Sequence, residues 1–150
     1  MFNASLQGEY VLLHRRRDIG FAIDTKEGLV IAVVHDADGL RTYELARKIV
    51  DLATAARDRS IPPEDMRGAT FTISNIGAVG GRYGTPIVPP GTTSVLSIGR
   101  ADPTPIVKGD KVVVGRVFPL SLSYDHRVID GALGRRFLAA VATAIAEYSD

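Results

Sequence analysis

The chain has 150 residues, the size of one ordinary globular domain with no room for two independent cores. Hydrophobic residues make up 45% and charged residues 23%, which fits a folded soluble domain and argues against wholesale disorder. Eighteen basic against seventeen acidic residues leave a formal charge of +1, so there is no broad field to attract nucleic acid or an anionic membrane.

From Glu9 to Val34 the pattern predicts short strands, over Tyr10–Leu13, Ile19–Asp24 and Gly28–Val34. The last is a continuous apolar run, as expected of a strand buried on both faces. The polar segment Thr25-Lys26-Glu27-Gly28 predicts an antiparallel hairpin between the last two. A helix follows, with Leu45, Ile49, Leu52 and Ala56 on one face, and Pro62 and Pro63 end that segment. Thr70–Ser74 predicts a strand, and the loop after it contains Gly77, Gly80, Gly81 and Gly84, for which positive-φ turns are the expected reason. Another strand is predicted over Thr93–Ile98. Lys108-Gly109-Asp110-Lys111 predicts a tight turn, feeding a long strand pattern from Val112 to Ser123. The final helix carries Leu133, Phe137, Val141 and Ile145 at i, i+4 spacing, with Asp130 placed to cap it. Strands interrupted by two helices predict an α+β two-layer sandwich, a mixed sheet with helices on one face.

Chemistry is narrowed by what is missing. The chain has no cysteine, so a disulfide framework, a thiolate metal site and a cysteine nucleophile are excluded. No apolar run approaches the ~20 residues that span a bilayer, and Met1–Ser5 lacks the regions of a signal peptide; a soluble cytoplasmic protein is expected. His14 precedes Arg15-Arg16-Arg17, which reads as a solvated strand end. His35 precedes Asp36 in a common turn arrangement, and neither histidine has a partner at metal-ligand spacing. The glycine loop has no following Lys-Ser/Thr and no G-x-G-x-x-G, so both nucleotide readings fail.

His126 sits differently, in Tyr124-Asp125-His126-Arg127-Val128-Ile129-Asp130-Gly131, at a strand-to-helix junction where a rigid core can present polar groups. Two readings stand on spacing alone. One is a structural turn, with Asp130 as a helix cap and Asp125–Arg127 as a surface ion pair. The other is an imidazole that moves a proton near neutrality.

The run Asp125–Gly131 resembles the DHRxxDG motif of the 2-oxoacid dehydrogenase acyltransferases, the E2 components of these complexes. Leu120–Tyr124, Gly131-Ala132 and Arg136-Phe137-Leu138 around it are also similar to the family. So, in order, are Asn3-Ala4-Ser5, Ile19–Thr25, Gly28-Leu29-Val30, Phe71–Gly77, Gly84–Ile87 and Pro89-Pro90. The resemblance implies a chloramphenicol acetyltransferase-like fold and acyl transfer between dihydrolipoamide and coenzyme A. It places the family's proton-accepting histidine on His126, its hydroxyl donor to the oxyanion on Ser74, and its motif aspartate, which holds the site's structure, on Asp130. Asn75 and Gly77 become substrate neighbours. Ser74, His126 and Asp130 do not form a hydrolase triad, because no G-x-S-x-G surrounds Ser74. The resemblance further implies a catalytic domain over residues 1–150 that lacks the family's N-terminal portion. Coenzyme A would be a substrate, with lipoamide on a separate domain or chain and no lipoyl or peripheral-subunit-binding domain here. Expected partners are a homotrimer, with Ser74 and His126 facing each other across neighbouring chains as the resemblance implies, or a cubic or dodecahedral core of such trimers, with E1 and E3 components; no metal, nucleic acid or membrane is expected. Competing readings are a non-catalytic assembly module and a chloramphenicol-acetyltransferase-like small-molecule O-acetyltransferase.

Overall fold

A computed structural model describes residues 1–148. In chain order the strands are β1 (Ala4–Gln7), β2 (Tyr10–Leu13), β3 (Ile19–Thr25), β4 (Gly28–Val34), β5 (Phe71–Asn75), β6 (Ser94–Ile98), β7 (Asp102–Lys108), β8 (Lys111–Val117) and β9 (Leu120–Tyr124). Helix α1 (Thr42–Arg57) follows β4, and α2 (Gly131–Glu147) follows β9. Five strands form one mixed sheet in the order β4-β3-β5-β6-β9, while β1-β2 and β7-β8 are separate two-stranded hairpins. Within the sheet, β3, β5 and β6 run parallel and the two outer strands are antiparallel to their neighbours.

Register separates the two faces of the sheet. Residues opposite one another across a sheet share a face, and successive residues along a strand alternate. The row Ala32–Phe21–Ile73–Leu96–Leu122 crosses all five strands and is apolar throughout. On this face, Leu52 and Ala56 of α1 are buried with Ile23, Ala32 and Val34. Phe71, in the register row of Ile19, meets Phe137 of α2 at 5.8 Å between ring centroids. Phe137 is stacked on its other side by Phe2 at 4.0 Å. Both helices therefore cover the same face, as the sequence pattern predicts. The adjacent row is Ile31–Ala22–Ser74–Ser97–Ser121, on the helix-free face, and it carries three hydroxyls in succession.

Three expectations need correction. Strand β4 is not buried on both faces along its length: it is an edge strand, with Ala32–Val34 buried but Leu29 71% exposed. Its apolar run reflects a buried inner half and an open hairpin end. The pattern from Val112 to Ser123 is two strands in different sheets, since the chain leaves the β7-β8 hairpin at Val117 and enters the main sheet at Leu120. Pro119, which has no amide to donate, lies at that break, and its carbonyl accepts from the Gly99 amide at 2.9 Å. Finally, positive φ explains only Gly80 (φ 88°) in the glycine loop. A Cβ on Gly77 would meet the backbone of Gly99 and Arg100 at 2.8 Å, and one on Gly84 would meet Ile76 at 2.8 Å. Gly77 therefore allows close packing of the loop onto the chain leaving β6, and Gly84 allows packing against Ile76 within the loop.

Candidate active site

The turn that carries His126 is held on both sides. The Asp125 amide donates to the Thr93 carbonyl at 2.8 Å, tying the end of β9 to the start of β6. The amides of Val128 and Ile129 both donate to the Asp125 carbonyl at 3.0 Å, and Ile129 is fully buried beneath the turn. Asp130 then accepts from the Leu133 amide at 2.7 Å, capping α2 in its first turn. Between these anchors the His126 side chain is exposed, its ring centroid 5.8 Å from that of Tyr124. The structural reading of Asp125 and Asp130 is therefore realised, and it leaves the imidazole free of any anchoring role in the turn.

Arg127 grips Asp125 with Nε at 2.9 Å from Oδ1 and Nη2 at 2.6 Å from Oδ2, and its backbone amide adds a third bond at 3.0 Å. The Arg127 guanidinium, followed by its amide, holds the Asp125 carboxyl down at about 2. Ion pair and turn together line a surface pocket of about 320 Å³ with Leu6 and the Val88–Thr92 segment.

Ser74 lies near the C-terminal end of β5 on the helix-free face, half-buried, and its hydroxyl forms no hydrogen bond among the described residues. It is opposite Ser97 on β6, which in turn is opposite Ser121 on β9. Because β9 runs antiparallel to β6, His126 emerges at the other end of the sheet, five residues beyond Ser121. At ~3.3 Å per residue that is roughly 15 Å along the strands, beyond two further strand spacings sideways. The fold thus places Ser74 and His126 at opposite ends of the sheet within one chain.

Asn75 acts locally, where its side chain accepts from the Ala78 amide at 3.3 Å and caps a short 3₁₀ turn over Ile76–Val79. With Gly77 it also lines a surface pocket of about 410 Å³, together with Gly99, Arg100, Phe118 and Ile145. No cluster of His, Asp and Glu able to hold a metal occurs among the described residues. No helix among them is long and apolar enough to cross a membrane.

A polar cluster that sequence reasoning missed lies at the start of β3. Asp18, 5% exposed, accepts from the Asp36 amide at 2.9 Å and pairs with Arg16 at 3.2 Å. Burial alone would raise its carboxyl, but the Asp36 amide and the Arg16 guanidinium outweigh this and hold it below the usual range. The basic run is therefore partly a clip: Arg16 reaches Asp18 and Asp36, and Arg17 reaches Asp38 at 3.1 Å. Arg16 is close in sequence, but the Asp36 amide and Thr70, which pack over Asp18, come from distant segments, so nothing in the linear sequence marks it as buried.

These placements can be set beside known proteins. The chain is 39% identical over 147 residues to a dihydrolipoyllysine-residue acetyltransferase component of pyruvate dehydrogenase complex from Cupriavidus necator, covering 98% of this chain and 27% of that protein. The fold superposes on Azotobacter vinelandii dihydrolipoamide acetyltransferase with a TM-score of 0.93 at 36% identity, covering 97% of this chain and 61% of that one. The same TM-score, at 37% identity and the same coverages, holds for the atomic structure of the cubic core of the pyruvate dehydrogenase multienzyme complex. The chain spans about a quarter of the Cupriavidus protein and about three fifths of the solved chains. In the Azotobacter enzyme the crystallographic and enzymatic work concerned the catalytic role of a serine, a histidine 52 residues later and an asparagine four beyond it. Ser74, His126 and Asp130 repeat those intervals of 52 and 4. The profile of the 2-oxoacid dehydrogenases acyltransferase catalytic domain matches residues 1–150 in full. With sequence, fold and site spacing in agreement, this chain belongs to the 2-oxoacid dehydrogenase acyltransferase catalytic-domain family.

Proposed function

We propose that the chain transfers an acyl group between dihydrolipoamide and coenzyme A, as the core of a 2-oxoacid dehydrogenase complex. The observation that carries this reading is the Ser74–His126–Asp130 spacing, with His126 held out on a doubly anchored turn. In the proposed step the neutral imidazole accepts the S–H proton, because the thiolate is the effective nucleophile. The sulfur bonds to the thioester carbon, and the carbonyl electron pair moves onto oxygen. The Ser74 hydroxyl donates to that oxyanion. Collapse breaks the other C–S bond, and the departing thiolate takes the proton back from His126. Asp130 acts by fixing the helix start behind the turn, and Asn75 and Gly77 flank the substrate path.

Since Ser74 and His126 lie at opposite ends of one sheet, the site is completed by a Ser74 from a neighbouring copy. In a head-to-tail ring every copy gives one group and receives the other, and a homotrimer is the smallest such ring beyond a pair. The likeness to the cubic core of a pyruvate dehydrogenase complex supports a larger assembly of such trimers; E1, E3 and a lipoyl domain are its proposed partners, and the cytoplasm its proposed location.

The test is acyl transfer from acetyl-, succinyl- and branched acyl-CoA to dihydrolipoamide. His126→Ala abolishes it, and Ser74→Ala slows it ~100-fold, the loss expected for one oxyanion donor. Equal rates in the unaltered chain and in His126→Ala would instead support a non-catalytic assembly role.

A further inference from the structure

The hydroxyl row on the helix-free face contains a residue that the proposed chemistry does not yet use. Register sets Ser74, Ser97 and Ser121 side by side on β5, β6 and β9. Ser97, in the middle, is 2% exposed, and its Oγ is buried with no hydrogen-bond partner among the described residues. The loop closes over it, since a Cβ on Gly84 would stand 3.5 Å from that oxygen. Buried hydroxyls are nearly always paired, because an unmade bond leaves the desolvation cost uncompensated. The hydroxyls beside Ser97 in the row are those of Ser74 and Ser121, both half-buried. Side chains directly opposed on adjacent strands stand ~5 Å apart at Cβ, a gap that two hydroxyls bridge by rotation about χ1. Thr72 is also buried and unpartnered, but its row neighbours are Gly20 and Val95, which offer it no hydroxyl.

We infer that Ser97 is a positioning residue for Ser74: its hydroxyl donates to Ser74 Oγ and accepts from Ser121. The inference rests on the proposed role of Ser74 and deepens it. A hydroxyl has one proton and two lone pairs. Were Ser74 to donate sideways into the row, no proton would remain for the oxyanion. A donor behind it fills a lone pair, turns the Ser74 proton outward and polarises the O–H bond.

Because the chain contains no cysteine, Ser74→Cys introduces a single thiol at the atom in question. Its ionisation is read from thiolate ultraviolet absorbance against pH, with circular dichroism confirming the fold. A hydrogen bond from Ser97 stabilises the thiolate, so adding Ser97→Ala raises the thiol pKa by about one unit. Ser97→Thr, which keeps the hydroxyl, leaves it low. Equal thiol pKa values with Ser and Ala at position 97 overturn the inference. In the unaltered background Ser97→Ala lowers kcat roughly tenfold at constant KM and costs nothing further in Ser74→Ala; additive losses overturn it equally. If the unaltered chain shows no acyl transfer at all, the reading of Ser74 as oxyanion donor fails. The thiol titration then decides the hydrogen bond by itself.

Discussion

The Asp125–Arg127 pair shows how one contact sets both geometry and pH behaviour. Asp125 has a folded-state pKa of about 2, below its ordinary value, so the pair contributes stability that is fully present above the unfolded value near 3.8. That contribution is lost as pH falls from there through about 2. Arg127→Met should therefore return the Asp125 carboxyl toward its ordinary value in a carbon-13 NMR titration. It should also reduce stability above pH 4 while leaving acid unfolding near pH 2 almost unchanged. An unmoved Asp125 titration would show that the backbone amide of residue 127 alone holds it. The His126 motif could be read from the residues in line, because its defining side chains lie within the seven consecutive positions Asp125–Gly131. The partner of Ser74 could not, because Ser97 is 23 positions away and meets it only through strand pairing.

The second helix shows the same division at the level of an element. Its N-cap could be read from Asp130 placed before an apolar stripe, and the bond to the Leu133 amide realises it. Asp130→Ala should cost about 1 kcal/mol in urea unfolding, with Asp130→Asn retaining most of that. Its burial, in contrast, depends on a contact that helical periodicity does not encode. Gly134 is the buried residue of α2, and a Cβ there would stand 2.6 Å from Cε1 of Tyr124. On an exposed helix, Gly→Ala gains up to ~1 kcal/mol of helix propensity; here the overlap with the Tyr124 ring wins. Gly134→Ala should destabilise by about 1–3 kcal/mol in the same measurement, as overpacking does. A stabilised Gly134→Ala protein would mean that Tyr124 has room to swing away, and with it the ring beside His126.

At the scale of the whole molecule, the proposed division of the site between copies requires an interface, and apolar side chains lie open to form one. Tyr10 and Leu13 on β2 and Val112 and Val114 on β8 are all 60% exposed or more, and the α2 stripe ends at the exposed Ile145. Mixing supplies the test of the divided site. Ser74→Ala and His126→Ala chains, each inactive or nearly so, should regain activity when co-refolded in equal amounts. In a head-to-tail ring about a quarter of the interfaces would then pair an intact serine with an intact histidine. No recovery, or a monomer by sedimentation with full activity, would place both groups in one chain.

The sequence alone determined the things that depend on neighbours in line. These are the strand and helix periodicities, the capping aspartate, the histidine turn, and the family through motifs spread along almost the whole chain. It anticipated the positive φ of Gly80 but not the reason for Gly77 and Gly84, the β8–β9 break or the β4 edge, because each of these depends on which segment packs against which. Only the tertiary structure decided at which ends of the sheet Ser74 and His126 stand, that three serines share a row, and that Asp18 is buried. The physical reason is strand pairing: a register of five strands brings residues scores of positions apart to within a few ångströms, and no local pattern records that choice.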